Sequence, residues 1–281
     1  MKIKFIILIF LLVSCSYTKK DDLSSPVATS FDIDEETSEA LPKLRKNIST
    51  KGIGPVPSHE YIGKKSGSNR KAVVGLYLAP GKYRTLSYLP ILNSMKQSNI
   101  EINIISAGGF STIIASLYAQ GVKPDLIEWE MHKLLSPIEE EPFQEDWLSI
   151  VHDWIEEKFK NRKIESGGIT LALATSDALL LRGDLVQTLK NNIAKGETGP
   201  MEVVEQLKEL GSDIVICLNA AGESLDNSQI MREKCDLYVD SNHKDFKMND
   251  KLLLTDILAE SAKSSYSIAK QIENVIEEWK K

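Results

Sequence analysis

Residues 71–121 read KAVVGLYLAPGKYRTLSYLPILNSMKQSNIEINIISAGGFSTIIASLYAQG, and this stretch decides the fold. It contains two apolar runs, residues 73–78 and 102–105, and each is followed by a short turn and a segment with helical spacing of apolar residues. The turns lie at residues 79–81 and 106–109. A repeated order of strand, tight turn and helix predicts a parallel α/β sheet. In such sheets, ligands bind at the turns beyond the carboxyl ends of the strands.

The same stretch resembles the patatin-like family of lipid acyl hydrolases. Members of that family carry a Gly-rich loop with an arginine after the first strand, and a Gly-X-Ser-X-Gly nucleophile turn after the second. The resemblance implies a three-layer α/β/α domain with a mostly parallel central sheet, which we assign to residues 71–281. The residues that agree with the family pattern without a gap are Gly75, Leu76, Leu78, Gly81, Arg84, Leu86, Leu92, Ile105, Ser106, Leu117, Tyr118 and Ala119.

Gly109 stands where the resemblance would put the nucleophilic serine, in the sequence Ala-Gly-Gly-Phe-Ser of residues 107–111. Glycine has no side-chain atom that could form an acyl-enzyme. Pro80 lies in the loop that should supply backbone N–H donors, and proline has no N–H. The catalytic Asp-Gly dipeptide of the family is missing, since no Asp lies between Asp184 and Asp213. Loss of a serine nucleophile alone costs on the order of 10⁶ in kcat, so the sequence predicts a hydrolase scaffold without hydrolase activity.

An active lipid acyl hydrolase with a displaced catalytic pair is the alternative. Its nucleophile would be Ser111, two residues beyond the family position, or Ser106. Its base would be Asp240, which follows an apolar run resembling the strand before the family's Asp-Gly, although Ser241 replaces the glycine. Helix capping preferences instead favour a structural role for Ser111 in the first turn of a helix. A purely structural envelope protein is a third possibility.

A non-catalytic domain of this kind is expected to bind a lipid, a fatty-acyl ligand or an envelope protein in the remnant cleft. The residues that would form this cleft are Gly81 and Arg84 of the first loop, and Gly108 and Gly109 of the second turn. A guanidinium group at position 84 could bind a phosphate or a carboxylate. The alternative for Arg84 is an ion pair with an acidic residue near the first helix.

The N-terminus predicts export and lipid anchoring. Lys2 and Lys4 precede the apolar run of residues 5–13, which is too short to cross a bilayer and is typical of a secretory signal. The run leads into Leu-Val-Ser-Cys, which resembles the bacterial lipoprotein processing box and makes residues 1–14 a signal peptide. Cys15 would then become the lipidated first residue. An ordinary signal peptide with an incidental cysteine is the alternative.

Residues 15–70 are rich in Ser, Thr, Lys, Asp and Glu and show no sustained periodicity. This composition predicts a tether that holds the domain off a membrane surface. Ser16 follows the anchor, whereas an aspartate at that position retains lipoproteins in the inner membrane of enteric bacteria. The sequence therefore favours the outer membrane.

Charge and motif spacing argue against other functions. The formal net charge of −6 becomes −8 once Lys2 and Lys4 leave with the signal peptide. An acidic protein is poorly suited to bind nucleic acid, or to bind anionic lipid by charge alone. The four histidines are scattered without metal-ligand spacing, and residues 78–82 lack the glycines of a nucleotide-binding turn. We therefore expect no cofactor and no metal.

The remaining cysteines and elements give further structural expectations. Cys217 lies in an apolar run and is predicted to be a buried free thiol, with a disulfide to Cys235 as the alternative. Asp184 is predicted to cap a helix. The tryptophan stripe of residues 146–159 is predicted to face the core of the domain instead of lipid. The other predicted elements are strands at 169–175, 178–181, 214–218 and 236–239, and a helix or helix pair at 251–279.

Overall fold

A computed structural model describes residues 70–140, 147–175, 179–195, 200–220, 225–241 and 254–281. The predicted signal peptide, Cys15 and all of the predicted tether except Arg70 lie outside these residues and stay predictions. No helix in the described ranges combines the length and the apolar composition that a membrane span requires.

The centre of the domain is a six-stranded sheet with the order β4-β3-β2-β1-β5-β6. Every neighbouring pair is parallel except β3 and β4, which are antiparallel. The predicted mostly parallel sheet is therefore confirmed. The strands are β1 Val74–Leu78, β2 Ile104–Ala107, β3 Thr170–Ala174, β4 Leu179–Leu180, β5 Ile214–Asn219 and β6 Leu237–Asp240.

Helices cover both faces of the sheet, so the predicted three-layer arrangement is confirmed. Along β1, Leu76 and Leu78 pack into the larger apolar core beneath α1–α5 and α8, whereas Tyr77 packs into a smaller core beneath α6 and α7. Burial on both faces explains why the strands read as unbroken apolar runs. The α-helices in the described ranges are α1 Tyr88–Gln97, α2 Ser111–Ala119, α3 Pro124–Glu140, α4 Trp147–Phe159, α5 Leu185–Lys195, α6 Pro200–Glu209, α7 Leu225–Lys234 and α8 Leu254–Trp279.

Several local predictions agree with these elements. The Asp184 carboxylate accepts a hydrogen bond from the Gln187 N–H at 2.7 Å, which is the predicted N-cap of α5. The tryptophan stripe of α4 faces the core, because Trp147 and Trp154 pack against the larger apolar cluster. The C-terminal segment forms one continuous helix, α8.

Cys217 and Cys235 form a disulfide, so the predicted buried free thiol is wrong. Cys217 lies on β5, and Cys235 ends the crossover through α7 that returns the chain beside β5. The Asp236 N–H donates to the Val215 carbonyl at 2.9 Å, and the Asp236 carboxylate accepts from the Val215 N–H at 2.8 Å. These bonds set a register in which the two cysteine Cα atoms lie 6.1 Å apart. Sequence spacing does not encode that register.

The chain enters the domain through a clamp at the amino edge of the sheet. The Arg70 guanidinium donates to both carboxylate oxygens of Asp213 at 2.7 Å each and lies 5.1 Å from the Trp279 ring centroid. Asp213 also accepts the Val73 N–H at 2.8 Å. A two-point pair of this geometry ties the start of β1 to the start of β5 and to the end of α8.

Candidate functional site

The turn between β2 and α2 has the shape expected of a nucleophile turn. Gly109 has φ +55°, a left-handed conformation that favours glycine. The Thr112 N–H donates to the Gly109 carbonyl and the Ile113 N–H to the Phe110 carbonyl, both at 3.2 Å, which starts the helix at once. A sharp strand-to-helix turn is thus retained at the position that the sequence indicated.

The tip of this turn is closed by Pro80. Gly108 and Gly109 are both buried. A Cβ atom added to Gly109 would lie 3.2 Å from the Cβ atom of Pro80, and one added to Gly108 would lie 3.8 Å from its Cδ atom. The proline therefore occupies the space into which a side chain at position 109 would have to project.

The 3-10 segment Lys82–Ser87 extends the cover over the turn. The Tyr83 ring packs edge-on against the Phe110 ring, with 6.3 Å between the centroids, and Phe110 is buried. The Arg84 N–H donates to the Gly81 carbonyl at 3.0 Å, which shapes the loop that carries Pro80. Gly81 and Arg84 are half-buried, so they are the predicted cleft residues that retain contact with solvent.

Neither candidate serine is presented at the turn. Ser111 is fully buried, and its Oγ atom lies 2.8 Å from the Leu78 carbonyl oxygen and 2.7 Å from that of Gly108. Its hydroxyl proton is thus directed to backbone carbonyls, which ties the end of β1 to the turn. Ser106 is buried within β2, and its Oγ atom has no hydrogen-bond partner among the residues that the structure describes.

Asp240 lies at the end of β6, and the structure does not bring it to the turn. β2 and β6 are separated by β1 and β5, which makes three inter-strand spacings. At about 4.8 Å for each spacing, the strands are roughly 14 Å apart. Proton transfer from a serine requires a contact of about 3 Å or a single bridging water. Ser111 and Asp240 therefore do not form a dyad in this arrangement.

Tyr88 fills a second position at the carboxyl edge that the sequence did not indicate. The chain leaves β1 toward the α1 face and leaves β5 toward the α7 face, so the gap between these strands is the switch point where such sheets bind ligands. The Tyr88 hydroxyl lies there, 2.8 Å from the Ala79 carbonyl oxygen and 3.0 Å from that of Leu218, and accepts the Ala220 N–H at 2.8 Å. Burial raises the pKa of this hydroxyl well above its ordinary value, so it stays neutral.

The neighbouring end of β6 is also internally bonded. The Asn219 amide donates to the Tyr238 hydroxyl at 3.0 Å, and the Arg232 guanidinium lies 5.1 Å from the Tyr238 ring centroid. The Ser241 hydroxyl donates to the Asn219 carbonyl at 2.9 Å. Burial is the main reason why the pKa of Tyr238 is raised. These contacts hold the strand end in place.

Other candidate sites lie away from the turn. A groove of about 310 Å³ between α1, α3 and α8 contains none of the predicted site residues. Within the described ranges, no group of three or more His, Cys, Asp or Glu residues is arranged to hold a metal ion. His132 lies on α3 and His152 on α4, while His59 and His243 lie outside the described residues.

Comparisons with known proteins close the description of the site. A scan against family models and a search of curated proteins both found no match. Among solved structures, one match is the heterodimeric ExoU–SpcU complex from the type III secretion system of Pseudomonas aeruginosa. The two chains are 10% identical with a TM-score of 0.40, and the match covers 74% of this chain and 52% of that chain. Another is the type III effector protein ExoU, with 11% identity, a TM-score of 0.38, and coverage of 71% and 53%. This chain thus spans about half the length of those chains, and similarities of this size do not indicate its activity.

Proposed function

We propose that this chain is an exported lipoprotein whose patatin-like domain binds a lipid or an envelope protein without hydrolysing it. The observation that carries the proposal is the turn at Gly109, which keeps its sharp shape but lies buried under Pro80 with no nucleophilic side chain. Acyl hydrolysis requires an exposed nucleophile with a base in hydrogen-bond reach. Among the described residues, the geometry around Gly109 supplies neither.

The position of Ser111 supports the same proposal. A serine nucleophile passes its proton to a basic side chain, whereas the Ser111 hydroxyl bonds to the carbonyls of Leu78 and Gly108. A backbone carbonyl is far too weak a base for this role. Activation of Ser111 would require the start of α2 to unwind.

The disulfide supports export. Disulfides persist in oxidising compartments outside the cytosol, and Cys217–Cys235 is one. This bond does not involve the N-terminal sequence, so it supports export independently of the sequence before Cys15 that resembles a lipoprotein processing box. The proposed location is the outer membrane, because Ser16 lacks the retention signal.

In the proposed binding site, Arg84 makes the main polar contact with the ligand. It is half-buried on the loop that covers the turn, beside Gly81. A guanidinium there is suited to a phosphate or carboxylate group of a lipid, or to an acidic side chain of a protein partner. Gly108 and Gly109 would shape the floor beneath this loop and would not touch the ligand, because both are buried.

A fluorophosphonate probe separates binding from hydrolysis. We expect the purified, lipidated full-length protein to show no labelling above that of the Ser111→Ala and Ser106→Ala variants. Labelling of the wild type that disappears in one of these variants contradicts the proposal and establishes the active alternative.

Lipid extraction tests the ligand. Protein exchanged into detergent should retain phospholipid or fatty acid in a fixed ratio, and Arg84→Gln should lower that ratio. Arg182→Gln is a matched control, because Arg182 is an exposed arginine outside the predicted cleft. An equal loss in both variants argues against a site at Arg84, and absence of lipid in the wild type leaves an envelope protein as the partner.

Detergent phase separation tests the anchor. We expect the wild type in the detergent-rich phase, and the Cys15→Ser chain in the aqueous phase with its signal uncleaved by lipoprotein processing. Equal partitioning of the two chains contradicts lipidation at Cys15.

A further inference from the structure

Helix α3 exposes two large apolar side chains that lie on one face. Leu126 is 54% exposed and Trp129 is 59% exposed. They are three residues apart, so they are neighbours on the helix surface. Lys133 follows four residues later, and its ammonium group lies 5.2 Å from the Trp129 ring centroid. We refer to Leu126, Trp129 and Lys133 as the α3 stripe.

The opposite face of α3 packs into the core, which keeps the α3 stripe facing solvent. Ile127, Met131, Leu134 and Leu135 are all buried in the larger apolar core. Their spacing of four, three and one residues defines a single helix face. Because this face is fully engaged, α3 cannot rotate to bury Trp129 without exposing the core residues.

The composition of the stripe favours a lipid surface. None of the three stripe residues is acidic, and the acidic residues beside them on α3 are Asp125, Glu128 and Glu130. The nearby Glu130 is neutralised by Lys158 at 2.6 Å and by Lys133 at 3.8 Å. Tryptophan and leucine beside a lysine match the composition found where protein meets the headgroup region, since an indole has both an apolar ring and an N–H donor.

We propose that the α3 stripe rests on the bilayer surface as a second membrane contact beside the lipid anchor. The inference rests on the proposed lipidation of Cys15. The chain from Cys15 to Arg70 spans 55 peptide bonds, so it reaches at most roughly 190 Å even at full extension. A domain confined near a bilayer occupies a weak surface contact for a larger fraction of the time than an unattached protein does. Confinement beside lipid is the reason why a bilayer, instead of a dissolved protein, is the proposed partner.

Fluorescence quenching by lipid tests the contact directly. The lipidated full-length protein is reconstituted into phosphatidylethanolamine–phosphatidylglycerol vesicles, with or without bromine atoms on the upper part of the acyl chains. We expect brominated lipid to quench tryptophan emission in the wild type, and Trp129→Phe to lose most of that quenching although Trp147, Trp154 and Trp279 remain. Tyr266→Ser is the matched control, because Tyr266 is 73% exposed on α8, outside the stripe.

A second variant measures the apolar contribution. Leu126→Ser removes a side chain from the stripe without touching the core, so the fold is retained and circular dichroism should be unchanged. In the unlipidated Cys15→Ser chain, we compare proteins with and without Leu126→Ser, so that the uncleaved signal contributes equally to both. We expect Leu126→Ser to lower partitioning onto the same vesicles about tenfold, the effect of withdrawing one leucine side chain from an apolar environment.

The outcomes distinguish this inference from the proposed function. Mass spectrometry of the mature protein reports lipidation independently of the stripe. Quenching that is equal in the wild type and in Trp129→Phe overturns the stripe contact even when the protein is lipidated. If the protein is not lipidated, the test is the partitioning of the chain without lipid onto vesicles. A partition coefficient that Leu126→Ser leaves unchanged overturns the inference.

Discussion

The turn after β2 and the α3 stripe are opposites in sequence and in structure. The turn resembles a catalytic site in sequence, yet Gly109 is buried beneath Pro80 and offers no side-chain chemistry. The stripe matches no motif, yet it exposes Leu126 and Trp129 to solvent. The difference teaches that a sharp strand-to-helix turn can be present without catalytic side chains, because the packing that makes such a turn also stabilises the fold.

The packing at the turn has an energetic reason to persist. Pro80 and Tyr83 cover residues that would otherwise leave a cavity at the end of the sheet. Full burial of an apolar side chain contributes about 1.5–3 kcal/mol. Pro80 and Tyr83 are each half-buried, so covering the turn stabilises the domain by part of that amount per side chain. The stripe has no such partner within the described residues, and its side chains stay available to a surface outside the domain.

Gly109→Ser, which places a serine in the turn, should have the largest effect on the free energy of unfolding. The left-handed φ of +55° costs a side chain about 1–2 kcal/mol, and the contact with Pro80 adds about 1–3 kcal/mol. We expect a loss of roughly 2–5 kcal/mol in urea unfolding, and no hydrolase activity.

Gly121→Ser is the matched control for this substitution. Gly121 has φ +84°, and nothing lies within 4 Å of an added Cβ atom. Gly121→Ser therefore carries the backbone cost without the steric cost. Pro80→Gly removes the Cβ atom that lies 3.2 Å from the added one, so Gly109→Ser should cost less in a Pro80→Gly background than in the wild type. Equal losses at the two glycines show that Pro80 does not close the turn.

Tyr88→Phe should have the next largest effect. The Ala220 N–H would lose its acceptor inside the protein, which costs about 1–3 kcal/mol. Tyr266→Phe is the control, because the hydroxyl of this exposed tyrosine can be replaced by water. A Tyr88→Phe protein as stable as the wild type in urea shows that the switch-point gap does not depend on this hydroxyl.

Alkaline pH tests the contribution of the Tyr88 hydroxyl without any substitution. Because burial raises the pKa of Tyr88 in the folded state, the native protein keeps a proton that the unfolded chain loses above about pH 10. Stability should therefore fall as the pH rises through 10 and above. Tyr118 and Tyr238 contribute in the same direction, so the fall should be shallower, though still present, in Tyr88→Phe. The measurement is the free energy of unfolding in urea at pH 9–11. If it falls as steeply with pH in Tyr88→Phe as in the wild type, the assignment to Tyr88 is contradicted.

The stripe should show the smallest effect on stability. Leu126→Ser and Trp129→Ser each remove an exposed side chain, so we expect the free energy of unfolding to change by less than about 0.5 kcal/mol. Ile127→Ser, one position along on the buried face, should cost several times more. A large loss at Leu126 or Trp129 shows that the stripe supports the fold and removes the contrast with the turn.

The sequence by itself determined the layered α/β class, the six strands in their order along the chain and the position of the turn at Gly109. These features are local, since the period of apolar residues and the glycines and prolines at turns act on neighbouring residues. The cap at Asp184 was predictable for the same reason. That residue 109 is a glycine, which has no side chain to act as a nucleophile, was also visible without a structure.

Only the tertiary structure decided what surrounds those elements. The cover of Gly109 by Pro80, the bond between Cys217 and Cys235, and the position of Tyr88 between β1 and β5 all join residues that are distant in sequence. Such contacts follow from strand order and register, which a single sequence encodes only through the packing of the whole domain. The exposure of Trp129 has the same origin, because an apolar residue is recognised as exposed only once the core beside it is complete.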